Sequence, residues 1–234
     1  MKKISAYRFL FVITFSFLFV NTNAQETTST IGIEQFLHYE RLNKDVEKRN
    51  PNPYENNIGN PYLFRDYANG EIVTIDNFRY NGKMRYNIYD DEIEYLVNDD
   101  KFWVSNPWVL DFITIDSITF IYCSADRQNK DEGSYYILLV SGDCKLLLKK
   151  GVILNDPVVA KPYVEAKPAE FVGRRDFFYI LLENQEPVKI TSKQKLLELF
   201  PEKTKQMKNY LKKISLNKGK DLIKLVEWKN GRGE

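Results

Sequence analysis

The chain has 234 residues, of which 43% are hydrophobic and 28% charged, a balance that excludes intrinsic disorder and favours a folded globular protein. Its formal net charge of +2 hides a segregation of charge along the chain. Residues 25–190 hold 19 basic and 27 acidic side chains, a net charge of −8, whereas residues 191–234 hold 12 and 5, a net charge of +7. The sequence therefore predicts an acidic body followed by a basic tail.

Residues 1–24 have the pattern of a secretory signal peptide. Lys2, Lys3 and Arg8 precede an apolar run from Phe9 to Val20. After this run, Thr22-Asn23-Ala24 places small residues where a signal peptidase cleaves. The run is shorter than the roughly 20 apolar residues that span a bilayer. We expect cleavage after Ala24 and a periplasmic or outer-membrane-associated protein, with secretion to the exterior as an alternative. An exported protein with an acidic body is not expected to bind nucleic acid.

The segment 25–60 is expected to contain one weak helix. Apolar side chains fall loosely on one side of a helix over 33–48, and the prolines of Asn50-Pro51-Asn52-Pro53 would end it. A second turn is expected at Gly59-Asn60-Pro61.

Residues 61–190 are predicted to form an antiparallel β domain, because strand-like runs alternate with Asn- and Asp-rich turns every eight to ten residues. A connector over 151–175, which contains three prolines, is expected to be extended and to precede a final hairpin around Asn184-Gln185. The long predicted strand 109–123 is expected to break near Asp116. The other strands are predicted at 71–75, 83–89, 92–97, 101–105, 133–141 and 144–149.

Residues 191–234 change to a helical period. Thr191 and Gln194 fit a capping box, and three short helices with narrow apolar faces follow, the last stopped by Asn230-Gly231. Helices this short need packing to be stable. The predicted fold is α+β: an antiparallel β roll or sandwich followed by a small C-terminal cap of three short helices.

Cys123 and Cys144 are the two cysteines. A disulfide between them is possible, because exported proteins fold in oxidising compartments. A hairpin register that places Cys123 opposite Tyr135 would separate the thiols by roughly 20 Å along the sheet, at about 3.3 Å per residue. Two separate buried thiols are therefore favoured over a disulfide, which remains the alternative.

Four short stretches resemble a family of exported bacterial envelope proteins that has no assigned activity. They are Asn60-Pro-Tyr-Leu-Phe64, Arg85-Tyr-Asn-Ile-Tyr-Asp-Asp-Glu-Ile-Glu94, Leu196-Leu-Glu-Leu-Phe-Pro201 and Asp221-Leu-Ile-Lys-Leu225. The resemblance covers most of the chain after the leader. It implies one continuous unit in which strands precede helices, and it assigns no catalytic residue.

The sequence offers few catalytic candidates. His38 is the only histidine, which excludes a site with two histidine ligands, and it lies in the weak helix. The acidic cluster Asp90-Asp91-Glu92, with Glu94, lacks the spacing of a known calcium loop and is interpreted as a turn followed by the solvent face of a strand. We predict no catalytic, cofactor-binding or metal-binding residues and no cofactor. An unrecognised hydrolase that uses paired carboxylates is the third functional alternative.

The leading functional prediction is an exported, non-enzymatic, envelope-associated binding or structural protein. A basic docking face formed by Lys205, Lys208, Lys212 and Lys213 would contact an envelope protein or an anionic membrane surface. The alternative is a carbohydrate-binding module, because exposed rings on a sheet can stack on sugars. The candidate ligand-binding aromatics are Trp103, Trp108 and Tyr95.

Overall fold

The computed structural model describes residues 31–43, 46–48, 50, 53–124, 132–163, 165–183, 185–201 and 204–231. The predicted signal peptide lies outside these residues. In the described part of the chain, the fold is α+β and is dominated by one sheet of eleven strands. The α+β class and the predominance of antiparallel strands agree with the prediction from the sequence. The strands are β1 Ile31–Gly32, β2 Ala68–Thr74, β3 Arg79–Asn87, β4 Glu92–Val97, β5 Asp100–Trp103, β6 Leu110–Ile115, β7 Ile118–Ser124, β8 Gly133–Val140, β9 Cys144–Asn155, β10 Glu170–Leu182 and β11 Val188–Lys189.

Four helices accompany the sheet in the described residues: α1 Ile33–Asn43, α2 Lys193–Leu199, α3 Thr204–Leu211 and α4 Gly219–Lys229. Helix α1 is shorter than the predicted helix over 33–48, since residues 46–48 are not helical. A 3₁₀ turn at Pro107–Val109 precedes β6.

The sheet order is β11-β10-β9-β8-β7-β6-β2-β3-β4-β5. All pairs along this path are antiparallel, and the short β1 adds a parallel pair to β3. Strands that are consecutive in the sequence are adjacent in the sheet from β2 to β5 and from β6 to β11, and β2 pairs with β6 where these two runs meet. The chain therefore forms two meanders joined through β2.

Asn and Asp residues make the tight turns of the sheet. Asp91, Asn98, Asp99 and Asp116 have φ values of 58°, 49°, 65° and 55°. Short polar side chains tolerate this left-handed region better than other non-glycine residues, which is why they mark the turns in the sequence. The predicted break near Asp116 is confirmed, because β6 ends at Ile115 and β7 begins at Ile118.

The apolar side chains form two cores. The first lies between α1 and the sheet and includes Phe36, Tyr95, Ile113 and Phe120. The second joins β8, β9 and β10 to helices α2, α3 and α4, and contains residues such as Leu146, Ile180, Met207 and Leu225. A side chain of this size stabilises the fold by about 1.5–3 kcal/mol when fully buried.

The proline-containing connector is shorter than predicted. Residues 151–155 belong to β9 and pair with residues 170–174 of β10, with Asn155 opposite Glu170. Pro157, Pro162 and Pro168 all lie in the loop between these strands. Prolines lack the N–H that a ladder requires, so they mark the loop but not the length of the strands that flank it.

The hairpin of β7 and β8 differs from the predicted register by one residue, since Cys123 pairs with Ser134 and Tyr122 with Tyr135. Both faces of these strands are partly covered, so the sequence alternation does not fix the register. Cys144 pairs instead with Leu182 of β10, and both cysteines are free thiols. Burial raises the pKa of each thiol to about 11, which keeps both protonated near neutral pH.

Helix α2 starts one residue later than the predicted capping box. Ser192 rather than Thr191 is the N-cap, and its side-chain oxygen accepts a hydrogen bond from the backbone N–H of Lys195 at 3.1 Å. At its far end the helical region is fastened to the sheet by Asn230. Its side chain accepts from the Cys144 N–H at 3.1 Å and donates to the Cys144 carbonyl at 2.8 Å.

Helix α1 is anchored by Glu40, which is completely buried. One carboxylate oxygen accepts from the backbone N–H groups of Ser105 and Asn106 at 2.6 and 3.1 Å, and the other accepts from the Tyr95 hydroxyl at 2.7 Å. The carboxylate thereby satisfies donors in the segment that leads from β5 to the 3₁₀ turn.

Replacing Glu40 with Gln should lower the free energy of unfolding by about 1–3 kcal/mol, because an amide NH₂ group would face buried donors. Urea denaturation would measure the change. Glu34→Gln is the matched control, since Glu34 is exposed on the same helix. Equal effects of the two substitutions would contradict an anchoring role for Glu40.

Candidate functional site

The end of β3 is covered on both faces, which is unusual for an amphipathic strand. Met84 and Tyr86 are 0% and 1% exposed and belong to the core between α1 and the sheet. Arg85 and Asn87, on the opposite face, are also buried, at 8% and 1% exposure. Alternation places successive side chains on opposite faces, so a second layer must lie over Arg85 and Asn87.

That second layer is the segment 53–67, which we call the tyrosine loop. Its backbone is tied to β3 and the following turn, because Leu63 N–H donates to the Tyr86 carbonyl at 2.9 Å and Ile88 N–H donates to the Pro61 carbonyl at 2.8 Å. The Asn60 side chain accepts from the Tyr62 N–H at 3.0 Å. The loop is therefore positioned by backbone contacts, which fix where its tyrosine side chains lie.

A buried ion pair lies under the tyrosine loop. Arg85 and Glu94 are direct cross-strand partners of β3 and β4, and Nε and Nη2 of Arg85 each lie 2.8 Å from Oε2 of Glu94. The two side chains are 10% and 5% exposed. A buried pair adds little net stability, but removing one partner typically costs about 3–5 kcal/mol because the other charge is left buried.

Two tyrosines of the loop complete this cluster. Tyr67 donates its hydroxyl to Oε2 of Glu94 at 2.8 Å, and Tyr62 donates more weakly to Oε1 at 3.4 Å. The guanidinium carbon of Arg85 lies 3.5 Å from the Tyr62 ring centroid and 4.3 Å from that of Tyr67. Stacking on rings suits the planar, weakly hydrated guanidinium group. The interpretation of Glu94 as a solvent-facing residue is therefore wrong.

An open cleft of about 740 Å³ lies beside this cluster. Tyr54 and Tyr62 supply aromatic walls, and the charged lining residues are Glu55, Arg65, Arg85 and Lys101. Burial and the nearby Arg85 charge lower the pKa of Lys101. The cleft thus combines flat aromatic surface with more cations than carboxylates inside a body of net negative charge.

Tyr54 is held in place by several contacts. Its ring meets Tyr62, Tyr89 and Phe171 edge-on, with centroids 6.2, 6.2 and 5.1 Å apart. Its hydroxyl donates to Asp90 and accepts from the Asn87 amide, the latter at 3.1 Å. The aromatic wall is therefore largely ordered before any ligand binds.

The predicted acidic cluster is divided among different partners. Asp90 contacts Tyr54, Glu94 contacts Arg85, and Asp91 pairs with Lys149 at 2.5 Å. Asp91 also accepts from the Tyr86 hydroxyl at 2.7 Å. Among the residues that the structure describes, no three His, Cys, Asp or Glu side chains are arranged to hold a metal ion.

The predicted aromatic residues do not all face solvent. Tyr95 is 0% exposed, and its hydroxyl is used by Glu40, so it cannot offer a ring face to a ligand. Trp103 is half-buried and pairs with Glu94 across β4 and β5, which places it on the same sheet face as Arg85. Trp108 is half-buried in the 3₁₀ turn. His38 is exposed on α1.

The predicted basic residues lie on and after α3. Lys205 and Lys208 with Lys212 border a small groove of about 340 Å³, which we call the basic groove. Lys193 lines its other side and donates to the Leu211 carbonyl, and Leu197 adds apolar surface. Lys213 is exposed but does not line this groove.

The main residues of the cleft were not among the predicted site residues. Tyr62, Arg85 and Glu94 do occur in the two stretches, Asn60–Phe64 and Arg85–Glu94, that carry the family resemblance. The signal that was available was an arginine between Met84 and Tyr86, two apolar residues of one predicted strand, and a glutamate on the next strand. Such a pair is buried only if something covers it.

The chain matches no protein-family model, no curated protein and no solved structure. The described part of the chain also contains no helix with the length and apolarity needed to cross a membrane. The geometry of the cleft and of the basic groove is therefore what bears on function.

Burial and the Glu94 carboxylate raise the pKa of Tyr62 to about 12 from an ordinary value of 10.0. A raised tyrosine pKa means that the contribution of Tyr62 to stability is fully present below about pH 10 and is lost as the pH rises through about 12. Tyr62→Phe should therefore reduce the loss of thermal stability between these pH values and remove one late step from the absorbance titration at about 295 nm, the usual phenolate wavelength.

The control for this titration is Tyr163→Phe, since Tyr163 is fully exposed in the loop between β9 and β10. If Tyr62→Phe and Tyr163→Phe change the alkaline stability curve equally, Tyr62 is not held against Glu94 in solution.

Proposed function

We propose that this protein is an exported, non-enzymatic, envelope-associated binding protein, and that the cleft beside the tyrosine loop is its ligand site. The observation that carries this proposal is the combination of ordered tyrosine rings with Arg65, Arg85 and Lys101 around one open space of about 740 Å³. Specific small-molecule sites commonly occupy volumes of about 300–1,000 Å³ and pair apolar walls with a few fixed polar groups. The ligand would therefore be a polar molecule that carries negative charge.

The predicted leader supports export, and the resemblance supports membership among exported bacterial envelope proteins. The non-enzymatic reading is supported by how the carboxylates around the cleft are used. Asp90 and Glu94 are both engaged in hydrogen bonds or ion pairs within the fold. Both groups hold the walls of the cleft. Glu55 is the one carboxylate among the residues that line the cleft, whereas hydrolysis by paired carboxylates requires two that reach the substrate.

The proposal extends to the arrangement of the strands and of the three C-terminal helices. We propose that the strands form a roll or sandwich and that α2, α3 and α4 act together as a cap, because their apolar faces share one core with β8, β9 and β10. Hydrogen exchange in which these helices open independently of the sheet would contradict this arrangement.

To test the binding function, the protein should be produced with its leader, and the mature form, which should begin at Gln25, screened by thermal shift. The probes are inorganic phosphate, citrate, amino acids, and neutral and acidic oligosaccharides. At least one probe should raise the melting temperature saturably, and the double variant Arg65→Glu/Lys101→Gln should abolish that shift because it reverses the charge of the cleft.

Lys83→Glu is the control variant, since Lys83 is exposed on β3 and does not line the cleft. The proposal fails if no probe stabilises the protein, if the double variant responds like the native protein, or if a stabilising probe is consumed. A mature form that begins at Met1 would contradict export.

A second candidate function is docking on an anionic membrane surface through the basic groove. The observation that favours it is the placement of Lys193, Lys205, Lys208 and Lys212 around apolar surface from Leu197. Clustered lysines add about 1 kcal/mol each to binding of an anionic bilayer at low ionic strength.

Flotation with phosphatidylglycerol vesicles tests this candidate. The native protein should float at low salt and not at high salt, and Lys208→Glu/Lys212→Glu should not float at either. The matched control is Lys83→Glu/Lys167→Glu, which reverses two exposed lysines elsewhere. If the two double variants float to the same extent, or if the native protein does not float at low salt, the basic groove is not a membrane contact.

A further inference from the structure

We infer that the ligand of the cleft is an acidic saccharide, that is, a sugar chain bearing carboxylate groups. This inference rests on the proposed binding function and adds the chemical class of the ligand. It follows from three properties of the cleft: the aromatic walls, the arrangement of charge and the size of the opening.

The aromatic walls suit sugar rings. A sugar ring offers a face of C–H groups that packs on a flat aromatic ring, while its hydroxyls remain available to polar neighbours. Tyr62 is fixed from one direction by the guanidinium group of Arg85, 3.5 Å from its centroid, and from its edge by Tyr54. Rings that are already fixed lose little conformational entropy when a ligand binds, which favours affinity.

The charge around the cleft suits one carboxylate more than a highly charged group. Arg85 is balanced by its buried partner Glu94, and the other charged residues that line the opening are Arg65, Lys101 and Glu55. Their sum is a single positive charge. A carboxylate carries a single negative charge and matches the planar donor fork of arginine.

The size and shape of the cleft fit an oligosaccharide better than a protein partner. A volume of about 740 Å³ accommodates a ligand of a few rings, and the openness of the site to solvent allows a chain to continue beyond it. A stable protein interface would need roughly 800 Å² of surface on each side, arranged as a packed apolar centre. The hydroxyl groups of sugars find polar partners here, such as the Asn60 and Glu55 side chains that line the opening.

Isothermal titration calorimetry with the mature chain tests the inference. The probes are a tetrasaccharide of galacturonic acid, a neutral tetrasaccharide of galactose and sodium acetate. We expect the acidic tetrasaccharide to bind at least about tenfold more tightly than the neutral one, since each charged hydrogen bond typically contributes at least that factor. Acetate alone should not give measurable heat, because it lacks the ring that packs on Tyr62.

Two variants locate the binding. Arg65→Gln and Lys101→Gln should each weaken binding of the acidic tetrasaccharide by about tenfold and weaken binding of the neutral one by much less, whereas Lys83→Gln should change neither. Both cleft substitutions remove charge from partly exposed side chains, so the variants should keep the native melting temperature, and this is measured first.

The outcomes separate the inference from the proposed function. Equal binding of the acidic and neutral sugars, or cleft-dependent stabilisation by citrate or phosphate only, overturns the acidic saccharide and leaves a binding protein. Tight binding of the acidic sugar that Arg65→Gln and Lys101→Gln do not weaken overturns the inference by placing the sugar elsewhere. The absence of any cleft-dependent ligand in the thermal-shift screen overturns both.

Discussion

The ion pair between Arg85 and Glu94 is the constraint on which the site depends. The two residues face each other across β3 and β4, on the side of the sheet away from the α1 core. Left uncovered, they would be an ordinary exposed pair of little energetic consequence. Covered by the tyrosine loop, each charge requires its partner, and the guanidinium group becomes a surface on which Tyr62 and Tyr67 are placed.

The same constraint explains the shape of the cleft. The tyrosine loop is bound at its centre by backbone hydrogen bonds to the end of β3, and Tyr54 is tied to the turn between β3 and β4 through Asp90 and Asn87. Both anchors lie on one side of the ion pair. The cleft is the space between these anchored rings and Lys101 on β5, so its walls come from loop and sheet together.

Local features of the fold could be predicted from the sequence, and contacts between distant segments could not. The turns were evident because Asp91, Asn98 and Asp116 occupy backbone conformations that few other residues tolerate. The fold class followed from strand-like runs before a helical period. Glu94 was misplaced because alternation shows which residues share a face of a strand, and not whether a loop 30 residues earlier covers that face. Tyr95 was misplaced because the sequence does not show which face of β4 packs against α1. Arg85 was missed as a site residue for the same reason.

The distribution of charge distinguishes the cleft from the basic groove. An acidic body repels anions at long range, so a cleft that selects an anionic ligand needs its cations at short range and partly shielded from water, where the effective dielectric is lower. Half-buried Lys101 meets this condition beside Arg85, whose own charge is paired with Glu94, whereas the lysines of the basic groove are exposed. Salt would screen the exposed lysines strongly and the partly buried cations much less. The two basic surfaces therefore differ physically: the groove can provide salt-sensitive attraction to a charged surface, and the cleft can provide selective recognition of a single bound group.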